Sequence, residues 1–147
     1  MADIVIVSGH VELPARLLQT HTAAVIARAL PLRLTAIFWG RLVALETPLE
    51  AYRELGAVQI AKLGQILWAP EDDKILIPYG LTPISRGAEI RLEEPSNIWA
   101  EALGDVQMLR EVHDGALLTI ARAGTTRALS PALGASRLAK PRGRWRS

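Results

Sequence analysis

The residues best equipped for binding chemistry fall in two short stretches, Trp39-Gly40-Arg41 and Tyr79-Gly80-Leu81-Thr82-Pro83. Trp39 offers an indole face for stacking and an N–H that needs a partner when buried. Arg41 offers a planar fork that suits a carboxylate, giving two parallel hydrogen bonds. Tyr79 adds a polar aromatic edge, Thr82 a hydroxyl, and Pro83 a rigid exit from the turn that Gly80 permits. Together these five residues describe a binding pocket at a loop rim, where rigid turns are needed. The same glycines and prolines also read as plain turn architecture, and Arg41, like Arg33 and Arg86, as a solvated residue.

Other chemistry finds little support. His10, His21 and His113 are far apart and lack the H-E-x-x-H spacing of a zinc hydrolase. The chain has no cysteine, so it has neither a thiolate nucleophile nor a Cys-based metal site. Glu71, Asp72 and Asp73 read as a solvated turn. Ser8 and Ser85 lack the G-x-S-x-G context of a nucleophile, and no phosphate loop or dinucleotide fingerprint occurs. No catalytic residue, cofactor or metal is assigned.

The elements that must position the candidate residues are mostly strands. DIVIV from Asp3 and VELPARLL from Val11 read as an opening hairpin, with Pro14 at an edge or bulge. Thr20 or Thr22 caps a short helix through AAVIARAL, and Pro31 stops it near Ala29. In 32–39, Leu32, Leu34, Ala36 and Phe38 share one face; Arg33, Thr35, Ile37 and Trp39 share the other. Residues 41–47, 63–68, 74–79 and 116–121 read as further strands, and 49–60 stays ambiguous. Ile90–Leu92 is a weak extended piece, 94–97 a turn, and 105–112 a short helix capped by Asp105. Short strands, frequent Gly/Pro breaks and no crossover helices point to a mainly β fold, a small barrel of about eight strands with one or two short capping helices.

Composition bounds the rest. The 147 residues are 50% hydrophobic, enough for one core. The net charge of +2 hides an asymmetry: residues 1–121 hold 10 Lys+Arg and 15 Asp+Glu, whereas 122–147 hold 7 Lys+Arg and no acid. The expected organisation is therefore a domain over 1–121 and a basic, flexible tail over 122–147. The basic pI comes from that tail and is no argument for nucleic acid, which is not expected as a partner. No apolar run would span a bilayer and no signal peptide opens the chain, so a cytoplasmic protein without membrane contact is expected. A small molecule, a short peptide or a second copy of the chain remain as partners.

A resemblance sharpens this. Thr22-Ala23 opening the helix, Leu30-Pro31 ending it, Trp39-Gly40, Gly64-Gln65-Ile66 leading to Trp68 and Pro70, Gly80-Leu81-Thr82-Pro83, Pro95 to Ile98, and Gly104-Asp105 recur in order over residues 3 to 121. In these pieces the chain resembles the cyclophilin-like domain family of small uncharacterised prokaryotic proteins. The resemblance implies an eight-stranded β-barrel with helices capping its ends and a ligand pocket at the barrel mouth. It also implies, as an alternative, peptidyl-prolyl isomerisation, which in cyclophilins proper uses an Arg, a Phe-rich apolar pocket and a His. This chain departs from that pattern, with Phe38 as its one Phe. Assembly as a homo-oligomer through an open sheet edge is the remaining alternative.

Overall fold

The computed structural model describes residues 1–124. The basic segment set apart by the sequence lies, from residue 125 on, outside the described residues. Nine strands form in chain order: β1 (Ile4–Ser8), β2 (Val11–Leu17), β3 (Leu32–Phe38), β4 (Leu42–Glu46), β5 (Val58–Ala61), β6 (Gln65–Ala69), β7 (Lys74–Pro78), β8 (Ile90–Ala102) and β9 (Leu117–Arg122). One α-helix, α1 (His21–Ala29), and one 3-10 helix, Val106–Glu111, complete them. Thr20 is the N-cap of α1, accepting from the Ala23 N–H at 3.1 Å. Asp105 plays the same part for the 3-10 helix, accepting from Gln107 N–H. Among the described residues no helix is long and apolar enough to cross a membrane.

All nine strands join one sheet in the order β2-β1-β9-β3-β4-β7-β6-β8-β5, and every pairing is antiparallel. This corrects the expected eight-stranded β-barrel. A short β2–β8 pairing, from Ala15↔Ala102 to Leu17↔Ala100, folds the sheet over on itself. The sheet nevertheless ends on a ninth strand, β5, whose one partner among the described residues is β8. A closed barrel has no edge; this sheet keeps one. The sequence hid β5 because it has four residues, its second and third positions are exposed, and a register shift interrupts its pairing.

The turn expected at 94–97 is likewise corrected. β8 runs unbroken through Pro95, which falls in the irregular stretch of its β5 pairing, between Arg91 opposite Ile60 and Ser96 opposite Val58. From Asn97 on, the strand pairs with β6. A residue that need not donate to a ladder can be proline.

Two apolar clusters result. Ile4, Ile6, Leu13, Leu34, Val43, Leu45, Ile66, Trp68, Ile75, Ile77, Trp99 and Ile120 belong to the main core, with Ile26 from α1. The alternate residues of β4, β6 and β7 (Leu42, Ala44, Leu67, Ala69 and Leu76) face the other way. There they pack with Ala61 of β5 and Ile90 and Leu92 of β8. Both faces of β4, β6 and β7 are thus apolar, which is why these segments read as continuous hydrophobic runs.

A buried polar node ties the segment between β4 and β5 to this framework. Asn97 is 1% exposed; its Oδ1 accepts from Glu54 N–H at 2.9 Å, and its Nδ2 donates to Thr22 Oγ1 at 2.9 Å and Tyr52 C=O at 2.8 Å. The Glu54 carboxylate accepts from both the N–H and the hydroxyl of Thr22 at the start of α1, where the helix end favours a negative charge. Trp68 adds a bond from Nε1 to Ala51 C=O at 3.0 Å.

Candidate functional site

On β3 the alternation turns Leu32, Leu34 and Ala36 into the core and leaves Ile37 on the outer face. Trp39, two residues on, lines the same outer surface. With Leu42, Ala44, Ala69, Leu76 and Leu92 they bound a pocket of about 260 Å³. Its floor is made by Leu42, Ala44, Ala69, Leu76 and Leu92 of the second apolar cluster, all buried, with the exposed Ile37 beside them. Its rim is charged, carrying Asp72, Lys74, Glu93 and Glu94. The pocket therefore lies on the outer face of the sheet, away from the main core.

The rim has a particular electrostatic character. Burial pushes the half-buried Glu94 carboxyl above its ordinary value. The Glu71 N–H, which donates to Glu94 Oε1 at 3.0 Å, opposes this, while the neighbouring charges of Asp72 and Glu71 and a hydrogen bond with Asp72 add to it. Glu71 is itself paired with Arg53 at 2.8 Å. Among the described residues Asp72, Lys74, Glu93 and Glu94 make no ion pair within 4.0 Å.

Of the five residues singled out by sequence, Trp39 alone lines this pocket. Gly40, at φ +59°, lies against the 81–83 backbone, and Arg41 N–H donates to Leu81 C=O at 2.8 Å. The Arg41 stem covers Gly80 so closely that a Cβ there would sit 2.7 Å from Arg41 Cδ. Tyr79 is buried in the main core, edge-on to Phe38 with centroids 6.2 Å apart. Thr82 is also buried; its hydroxyl donates to Arg91 C=O at 2.5 Å, and its N–H donates to Ser85 Oγ at 3.0 Å. Pro83 is exposed beside Gly40. The two glycine-bearing stretches are thus brought together, as a brace that fixes the turn carrying Trp39.

Sequence reasoning missed Asp72, Lys74, Glu93 and Glu94. Asp72 read as part of a solvated turn, Glu94 as the first residue of a turn that does not form, and Glu93 as its neighbour. The one available signal was a carboxylate run on each side of a strand pair, which does not reveal that the two runs meet.

The model of a family described as cyclophilin-like matches residues 2–121. Among solved structures, the chain is similar to a hypothetical protein from Archaeoglobus fulgidus, AF2241. The two are 25% identical, with a TM-score of 0.70 over 83% of this chain and 95% of that one. It is also similar in fold to McbB, solved in complex with tryptophan, at 13% identity and a TM-score of 0.58 over 82% of this chain and 45% of McbB. No curated protein matches.

Proposed function

We propose that this chain, which belongs to the cyclophilin-like family, binds a small molecule with an apolar or aromatic body in the outer-face pocket walled by Trp39. The observation that carries this reading is a cavity with an apolar floor beside a half-buried indole. Burial of apolar surface drives such binding, and a few polar groups at the rim orient the ligand. A volume of about 260 Å³ suits a metabolite of modest size rather than a folded peptide segment. The McbB structure supports the reading in one respect: it gives a protein of related fold that is found with a small aromatic molecule.

The test is a thermal-shift screen of small apolar and aromatic metabolites, followed by calorimetric titration of each hit against the wild type and Trp39→Ala. A hit at a hundredfold excess over its Kd should stabilise the protein by about 2.7 kcal/mol. Saturable binding that Trp39→Ala weakens at least roughly tenfold supports the reading, since a stacking aromatic contributes on the order of 1–3 kcal/mol to such contacts. Absence of any hit, or hits indifferent to Trp39→Ala, would overturn it.

A further inference from the structure

We infer that the pocket selects a ligand whose apolar body carries a protonated amine, held at the rim between the carboxylates of Asp72 and Glu94 over the apolar floor. The inference rests on the binding reading above and names its ligand class. Asp72 comes from the turn between β6 and β7, and Glu94 from β8; folding sets both, with Glu93, along the rim of one cavity. Three carboxylates on one rim, against the one ammonium of Lys74, favour a cationic group there. Neither Asp72 nor Glu94 has a cationic partner among the described residues.

The apolar floor and the Trp39 indole lie in the same cavity, so the acids head a shaped pocket rather than an open solvated face. Nor do three acid or imidazole groups converge among the described residues as a metal cage requires. An ammonium group instead offers three N–H donors to the two carboxylates, and the indole face favours a cation beside it. Without ligand, Glu94 keeps a proton more readily than an ordinary glutamate, for the reasons of burial and like charge given above. Lys74, on the same rim, offers an ammonium to the carboxylate of an amino acid and nothing for a simple amine to bind.

The experiment is a calorimetric comparison of four probes sharing one phenyl body: 2-phenylethylamine, phenylalanine, 3-phenylpropionate and 2-phenylethanol. The amine-bearing probes should bind at least roughly tenfold more tightly than the alcohol and the propionate, as charge-assisted hydrogen bonds predict. Glu94→Gln, which keeps the acceptor for Glu71 N–H, should bring that preference close to parity. Lys74→Met separates the two amine sources: weaker phenylalanine binding with unchanged phenylethylamine binding identifies an amino acid, and no change in either identifies a simple amine. Alcohol or propionate binding as tightly as the amine would overturn the inference and leave the pocket reading standing. No saturable binding by any probe, with an empty metabolite screen, would overturn both.

Discussion

Gly40→Ala should destabilise the fold and misplace Trp39 together. Gly40 has φ +59°, a left-handed conformation that costs a residue with a Cβ roughly 1–2 kcal/mol. The new Cβ would lie 2.8 Å from Leu81 O, 2.8 Å from Pro83 Cδ and 3.0 Å from Thr82 Cα. Two of these are backbone atoms and the third is a proline ring, so none can rotate aside. The backbones can separate only by stretching the 2.8 Å bond from Arg41 N–H to Leu81 C=O, a further cost of about 0.5–1.5 kcal/mol. The sum is about 1.5–3.5 kcal/mol, measurable as a drop in urea midpoint at unchanged m-value. Gly56→Ala is the matched control, because Gly56 lacks a left-handed φ and a Cβ there meets nothing within 4 Å. It should change stability by less than about 0.5 kcal/mol. Equal effects of the two substitutions, or a Gly40→Ala protein as stable as wild type, would refute the brace between the two turns.

Asn97→Ala should cost about 2–4 kcal/mol in urea unfolding, because it strands Glu54 N–H and Tyr52 C=O around a site 1% exposed and takes from the Thr22 hydroxyl one of its two bonds. Trp68→Phe should cost about 1–3 kcal/mol, chiefly by leaving Ala51 C=O without its indole donor; a neutral result would contradict the anchoring of that segment. Glu94→Gln should stabilise the protein at neutral pH. The folded state holds the Glu94 proton more tightly than the unfolded chain, so stability falls as pH climbs from the ordinary value of 4.5 through the raised folded value. The glutamine removes that penalty, and its advantage should vanish below pH 4.5 in a series of melts. The groups to hold constant there are Asp72, Glu71, Glu93 and Lys74.

Much of the fold was legible because local chemistry dictated it. Pro31 ends α1 at Ala29 as expected, since it follows a residue that disfavours the helix. Period-two alternation on β3 placed Ile37 and Trp39 on one outer face before any coordinates. What stayed hidden depended on contacts distant in sequence. β5 is too short and too exposed to announce itself, and β8 reads as two pieces because Pro95 falls in the irregular stretch of its pairing with β5. The site suffered the same way. Tyr79 and Thr82 carry polar groups that suggest a rim, yet the folded chain spends them on the core and on Arg91 C=O. The acids that meet at the pocket lie more than twenty residues apart in sequence.

The most direct measurement is an indole N–H NMR titration of the protein with 2-phenylethylamine and 2-phenylethanol. Trp68 and Trp99 are fully buried and donate to Ala51 C=O and Leu67 C=O, so their indole signals report the main core. Occupation of the outer-face pocket should shift the Trp39 signal saturably, in parallel with calorimetric binding, and leave those two in place. Binding that moves Trp68 and Trp99 while Trp39 stays still would put the ligand inside the main core and contradict the account.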